Sequence, residues 1–334
     1  MEKIIETNEA RIRITKKGDK GFFIQLFSNI PDQYIEKTEL VTSYDVPLIE
    51  KILEDKGPLW FLNEIDREES PKQIQLNLYY GILSFISPEE LKGKRILDFG
   101  CGCGSSTMVL ARMFPESEIV GIEFLESSIK VAEARKAFYG YSNVTFIQSE
   151  DPRSLPENIG TFDYIVLSAV YEHLLPQERV LILPQLFSLL KNGGIMFINE
   201  LPYRYFPFET HTTGGLPLIN YLPAFLVEKI VNRYSKRNLN QNWEMLLRNG
   251  IRGGSMREIL NNLKVNNLEG SFLEPSKLEV RNDIDIWHKM VESRRPFPKL
   301  GLVTWGIRAF KIITGISMIH LLTLALQKPT NENY

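Results

Sequence analysis

The sequence predicts an α/β fold: a doubly wound, mainly parallel sheet carrying a large helical insertion. Two observations predict it. Short apolar runs at 95–99, 118–122, 144–148, 162–167 and 195–199 alternate with stretches of helical periodicity. Such near-continuous runs are the mark of strands buried on both faces, and their spacing leaves room for right-handed helical crossovers. The regularity then stops at Glu200, and residues 201–222 are crowded with proline, glycine and aromatic side chains.

Taken in order, the first ~30 residues read as a hairpin. Ile12 and Ile14 alternate with Arg11 and Arg13, residues 16–21 have turn chemistry, and Phe22–Phe27 forms the return. Helical spacing from Pro47 to Asp55 ends at Gly57-Pro58. It resumes from Gln73 to Ile86 with Leu76, Tyr79, Tyr80 and Leu83 as the expected apolar stripe. Pro88-Glu89-Glu90-Leu91 starts a short acidic helix. Helices at 105–114 and 127–138 separate the first three strands, and Leu183, Leu186, Phe187 and Leu190 repeat helically until Asn192-Gly193-Gly194. Residues 223–265 read as helices of the insertion, and 321–327 as a last strand ended by Lys328-Pro329. The expected organisation is 1–74 as a hairpin and helices covering the site, 75–200 as the core, 201–300 as the insertion, and 301–334 as a closing helix and strand.

With 334 residues, 43% hydrophobic and 24% charged, the chain has material for a sizeable core, which excludes disorder or a coiled coil as overall descriptions. The net charge of −2 is unlike that of a dedicated nucleic-acid binder, and no nucleic-acid partner is expected. The charge is uneven: residues 1–199 carry 21 basic and 29 acidic groups, residues 200–334 carry 18 and 12. A mildly positive second segment suits an anionic acceptor or lipid surface. Cys101 and Cys103 are the only cysteines, too close in sequence for a disulfide. The N-terminus lacks a signal-peptide core, so a cytoplasmic protein is expected.

The chemistry centres on Asp98-Phe99-Gly100-Cys101-Gly102-Cys103-Gly104, set between a strand and a helix. Glycines there let the chain turn tightly and let a ligand lie against bare backbone. A dinucleotide fingerprint would need glycine at 105, where this chain has Ser105. Ile96 to Gly104 instead resembles motif I of the class I S-adenosylmethionine-dependent methyltransferases. Phe162-Asp163-Tyr164-Ile165-Val166-Leu167-Ser168 resembles that family's strand-four motif, and Leu189-Leu190-Lys191-Asn192-Gly193-Gly194 its turn before strand five.

The resemblance implies a Rossmann-like, mainly parallel seven-stranded sheet and S-adenosyl-L-methionine as cofactor. It carries the ribose-gripping acid to Glu123, 19 residues after Gly104, with Phe124 beside it. The adenine-side role falls to Glu150, with Asp151 in reserve. Asp98, Gly100, Cys101, Gly102, Gly104 and Ser168 complete the expected cofactor set. The implied reaction is methyl transfer to an oxygen or nitrogen of a small-molecule, saccharide or lipid-linked acceptor. The alternatives are a nicotinamide oxidoreductase, against which stand Ser105 and the lack of a Tyr-x-x-x-Lys-type pair near strand four in this sequence, and a non-catalytic module that binds the same cofactor.

An acceptor that loses a proton needs a base, and the chain has four histidines. His173 follows strand four and reads either as a base or as a histidine bonded to backbone at a helix start. His211 lies in the loop after strand five, at the end of an open sheet where ligands bind. His288 and His320 are treated as structural. Some family members bind a divalent ion through Glu-x-x-Glu-His after strand four. Here the first position is Ala169, and no metal is expected. Tyr203, Arg204, Tyr205 and Phe208 are the expected acceptor-side residues, in a loop resembling those of uncharacterised bacterial methyltransferases of the cell-envelope type. The apolar stretch 300–326 reads as a buried closing helix and strand, with a peripheral membrane contact as the other reading.

Overall fold

In the computed structural model the five apolar runs are adjacent strands of one sheet. The structure describes residues 2–18, 21–31, 35–151, 153–235, 237 and 239–330; Asp19 and Lys20 of the expected hairpin turn, and 331–334 of the closing segment, lie outside them. The N-terminal elements are β1 (Glu2–Glu6), β2 (Ala10–Lys16), β3 (Phe22–Ser28), β4 (Glu39–Thr42), α1 (Val46–Lys56), α2 (Phe61–Glu69), α3 (Ile74–Leu83) and α4 (Pro88–Leu91). The core continues with β5 (Arg95–Phe99), α5 (Ser105–Met113), β6 (Glu118–Glu123), α6 (Glu126–Tyr139), β7 (Val144–Gln148), β8 (Phe162–Ser168), α7 (Pro176–Leu189) and β9 (Leu190–Pro202). Then come β10 (Phe208–Glu209), β11 (Leu216–Pro217), α8 (Ala224–Tyr234), α9 (Trp243–Arg248), α10 (Met256–Val265), β12 (Ser271–Phe272), α11 (Asp283–Arg294), α12 (Leu300–Thr314) and β13 (Leu321–Gln327).

The main sheet has seven strands in the order β12-β13-β9-β8-β5-β6-β7. Strands β9, β8, β5, β6 and β7 are parallel, whereas β13 and β12 run antiparallel to their neighbours. Successive residues of each strand feed opposite faces, as the pleat requires. Ile96, Ile119, Val166 and Phe197 enter the core layer under α3 and α5. Leu97, Val120, Ile165 and Ile198 enter the layer under α7 and α10. Each such side chain is essentially inaccessible, worth about 1.5–3 kcal/mol apiece. The seventh strand, β12, comes from within the expected insertion.

The expected hairpin is present as β2–β3, extended by β1 and β4 into a separate four-stranded antiparallel sheet. Its Ile12, Ile14 and Ile24 pack with Ile49, Ile52, Phe61 and Ile65 of α1 and α2 over Cys103 and Val131. Asp45 caps α1 by accepting from the Leu48 amide, with proline in the first turn.

Three expectations are corrected. The buried face of α3 is Ile74, Asn77, Leu78, Gly81 and Ile82 rather than Leu76, Tyr79, Tyr80 and Leu83, of which only Leu83 is buried. Gly81 lies against Asn199 of β9, where a Cβ would come within 2.3 Å of the amide nitrogen, so the smallest residue sets which face docks. Leu190 is the first residue of β9, not part of the preceding helix. Finally, β13 is buried as expected but α12 is not: Leu302, Trp305, Ile312 and Ile313 are 67–85% exposed. Only Leu300 and Thr304 of α12 are buried. Among the described residues no helix is long and apolar enough to cross a membrane.

Candidate functional site

The glycine-rich turn leaves β5 at the carboxyl edge of the sheet, and Gly100, Gly102 and Gly104 all have positive φ, at 69°, 53° and 80°. Side chains rarely adopt that region. A Cβ on Gly100 would press on Val170 at 2.8 Å and one on Gly104 on Ala132 at 2.9 Å, whereas Gly102 faces open space. The first and last glycines therefore serve packing, and the middle one leaves bare backbone.

Glu123, the last residue of β6, closes over this turn. Its Oε2 accepts from the Gly102 amide at 3.1 Å, and its Oε1 accepts from the Phe124 and Leu125 amides at 2.8 and 3.1 Å. Three backbone donors fix the carboxylate in place and leave one of its roughly four lone-pair sites free, so a second hydroxyl of a bound diol would take the place of the Gly102 amide. The Phe124 ring beside it is 47% exposed, a free apolar face at the site's edge. Asp98 is buried and accepts from the Ser106 and Thr107 hydroxyls at 2.7 and 2.6 Å, both on Oδ2. It thus ties the start of α5 to β5. Burial pushes its carboxyl up to about 6, against those two hydroxyls and with the Glu123 charge adding to the rise.

The charged neighbourhood of Asp98 gives a testable sign. A carboxyl raised in the folded state binds more protons folded than unfolded between its ordinary value near 4 and about 6. Its contribution to stability is therefore present below that window and lost as pH rises through it. Urea unfolding at intervals across this window should show a shallower fall with pH in Asp98→Asn than in the parent. Parallel curves would refute the assignment. Glu123 and the Cys101 thiol face the same carboxyl, so both stay unaltered in the comparison.

The other expected cofactor residues are distributed along the same edge. Ser168 ends β8, paired in register with Asn199, and Ser149 donates its amide to the Glu123 carbonyl at 2.8 Å. Glu150 and Asp151 are exposed in the turn that follows. Cys101 and Cys103 are buried free thiols, the latter donating to Asp55 of α1 at 3.1 Å.

Beyond β8, Val170 lies against Gly100, so the loop after β8 packs directly on the glycine turn. A single 3-10 turn, Tyr171–His173, follows. Glu172 is fully buried, and among the described residues neither carboxylate oxygen has a hydrogen-bond partner. Burial pushes its carboxyl up to about 8, with Glu200 adding to the rise and Arg179 and Arg67 opposing it. His173 Nε2 is 3.8 Å from Glu172 Oε1, and its Nδ1 is 2.6 Å from the Arg248 carbonyl. The His211 ring lies 5.5 Å from that of His173. Burial lowers His211 to about 4, and His173 is lowered by burial as well. Both imidazoles are neutral near pH 7.

The structure thus joins His173 and His211, which sequence reading placed in separate loops, and adds Glu172, which it left outside the site. The signal for Glu172 was present: an acid and a histidine follow one strand, and the second histidine follows its neighbour. The expected acceptor residues divide between two clefts. Tyr203 and Phe208 border a narrow one, with room for little more than a water molecule, together with His211, Arg252 and His320. Arg204 and Tyr205 border an open one of about 330 Å³ with Arg257 and Asn261. Arg204 also donates to the Asn220 carbonyl. His288, treated as structural, has Nδ1 2.7 Å from the Thr304 hydroxyl.

The family model described as "Methyltransferase domain" matches residues 90–217, which include the glycine turn, Glu123 and the loops after β8 and β9. That stretch is similar to methyltransferase domains. The chain is 30% identical over 142 residues to the malonyl-[acyl-carrier protein] O-methyltransferase of Bacillus cereus, covering 42% of this chain and 50% of that one. It is 32% identical over 124 residues to an uncharacterised protein of Rickettsia prowazekii, covering 36% and 49%. A solved structure of the plantazolicin methyltransferase BamL, in complex with a triazolic desmethylPZN analog and SAH, aligns at 18% identity and a TM-score of 0.46 over 84% of this chain and 95% of that one. The chain spans about half the length of the first curated relatives it matches.

The glycine turn fits a sulfonium nucleoside better than a dinucleotide. Open space at Gly102 beside an anchored carboxylate suits a ribose diol. The N-terminus of α5, where a pyrophosphate would sit, is met instead by Glu64 of α2, which accepts from Ser105 Oγ at 2.6 Å.

Proposed function

We propose that this protein transfers a methyl group from S-adenosyl-L-methionine to an oxygen or nitrogen of a small-molecule or lipid-linked acceptor. The observation that supports it most is the direct packing of the loop after β8 on the glycine turn through Val170 and Gly100, which brings Glu172 and its histidines next to the cofactor turn. The bound cofactor supplies a methyl carbon on sulfur, an excellent leaving group, so the protein's task is chiefly positioning and exclusion of water. Glu123 would accept both ribose hydroxyls while Gly102 lets the nucleoside lie on backbone. Phe124 offers its exposed face to the adenine, and Glu150 or Asp151 its outer edge. His211 and His173, neutral by burial, offer lone pairs where an acceptor hydroxyl must lose its proton. Tyr203 and Phe208 wall the cleft beside His211. The curated relatives include a malonyl-[acyl-carrier protein] O-methyltransferase, a demethylmenaquinone methyltransferase and a ubiquinone biosynthesis O-methyltransferase, which supports a small-molecule acceptor here.

The protein works in the cytoplasm in this reading, and the exposed apolar face of α12 is where it would rest on a membrane to reach a lipid-linked acceptor. The test is a panel of hydroxyl, carboxyl and amine acceptors, free and in anionic lipid vesicles, with labelled methyl donor. Transfer should be seen with one class and blocked by S-adenosylhomocysteine. Replacing Tyr203 and Phe208 by alanine should raise KM about tenfold with a smaller change in kcat, as expected where apolar walls bind ground and transition states alike. Absence of both cofactor binding and transfer would end this reading.

A further inference from the structure

We propose that Glu172, His173 and His211 form a binding site for one divalent transition-metal cation. Their ligand atoms, one from each residue, all lie within 4.8 Å of one another. Two imidazole nitrogens and one carboxylate form a donor set that suits first-row divalent ions and leaves coordination positions open.

Three features show a built site rather than a chance cluster. First, Glu172 is fully buried and its two oxygens have no partner among the described residues, an unmet hydrogen-bonding capacity that a coordinated cation would satisfy. Second, His173 Nδ1 sits 2.6 Å from the Arg248 carbonyl, so the N–H donates there and the Nε2 lone pair points free, toward Glu172. That is the way second-layer partners orient a metal-binding imidazole. Arg248 is itself held by two hydrogen bonds to Glu178. Third, the turn after α9 is shaped around the cluster. Gly250, at φ 86°, would with a Cβ strike His211 Nε2 at 2.8 Å and Glu172 Cγ at 3.1 Å. The adjacent Asn249 carbonyl accepts from the Thr212 hydroxyl at 2.7 Å, tying the His211 loop down. Two strand ends and the insertion therefore converge on one point. His173 keeps 42% of its side chain exposed, which leaves an entry path.

Chemically, the site deepens the proposed function without depending on it. A cation held by both histidines would polarise an acceptor hydroxyl and lower its pKa, taking over the work of a free base. Ala169, which breaks the Glu-x-x-Glu-His pattern, offers no ligand, and His211 from the loop after β10 supplies the third.

The probe is cobalt(II) alone. Tag-free protein stripped with chelator is titrated with cobalt chloride, and the visible absorption of the ion and the heat of binding are recorded. One equivalent should bind with the spectrum of a nitrogen–oxygen site. Glu172→Gln and His211→Ala should each weaken binding about tenfold or more, while His288→Ala leaves it unchanged. Near-ultraviolet circular dichroism reports folding. Should Glu172→Gln not fold, His173→Ala, at a half-exposed position, should show the same loss of affinity. No stoichiometric binding, or equal affinity in the folded ligand variants, overturns the proposal. Cobalt binding without methyl transfer would leave the site standing and remove the methyl-transfer reading, so the two failures are separable.

Discussion

Glu123→Ala should lose about a hundredfold to ten-thousandfold in affinity for S-adenosylhomocysteine, measured by calorimetry. A carboxylate that accepts two ribose hydroxyls contributes about 1.5–3 kcal/mol per charged hydrogen bond, and both go together. Alanine also strips the Gly102, Phe124 and Leu125 amides of their acceptor, so the glycine turn loses the tie that holds it against β6. Glu123→Gln separates these effects. The amide oxygen still accepts from backbone but brings no charge, and its affinity should fall between parent and alanine. If the alanine variant binds as the parent does, the nucleoside lies elsewhere and the proposed chemistry falls with it. If parent and variants all bind a nicotinamide dinucleotide instead, the occupied N-terminus of α5 has been misjudged.

The strands of the core were legible for a physical reason. A strand covered on both faces has no solvent side to write polar residues into, so Ile96-Leu97 and Ile165-Val166-Leu167 announce themselves without alternation. The place of Glu123 at a strand end was legible from the run before it, whereas its ribose role came only from the family resemblance. The docking face of α3 was not. It turns on Gly81 meeting Asn199, a contact between residues more than a hundred positions apart, and the apolar stripe of Leu76, Tyr79 and Tyr80 was the larger local signal. Glu172 was seen beside His173 in the sequence but set aside because Ala169 breaks the Glu-x-x-Glu-His pattern. An acid beside a histidine is common in sequence, and its meaning appears only when the turn at 248–250 brings His211 alongside. The exposure of α12 was illegible because an apolar helix reads alike whether it is covered or not.

Arg135 was invisible as well, and its replacement should have the largest effect on stability. It emerges from α6 with no exposed surface, and its guanidinium donates to Glu64 Oε1 at 2.9 Å, to the Glu64 carbonyl at 3.1 Å, to the Cys103 carbonyl at 2.9 Å and to the Ser105 hydroxyl. One side chain thus joins α2 of the N-terminal unit, the end of the glycine turn and the start of α5. Arg135→Met keeps much of the volume but leaves Glu64 buried without its counter-charge, which costs about 3–5 kcal/mol. Against a total of roughly 5–15 kcal/mol for a folded protein, that is a large share. Urea unfolding should show the loss, and Arg135→Met combined with Glu64→Gln should recover part of it, because the stranded charge is gone. Burial opposes ionisation of Glu64, yet Arg135 and Arg67 hold its carboxyl below the usual range, so the pair's contribution is present at neutral pH and lost as pH falls through that lowered value. Equal stability of the single and double variants would mean that the pair acts only as packing. Because the Cys103 carbonyl is one of its acceptors, the Met variant should also bind S-adenosylhomocysteine more weakly, linking the anchoring of the N-terminal helices to the shape of the glycine turn.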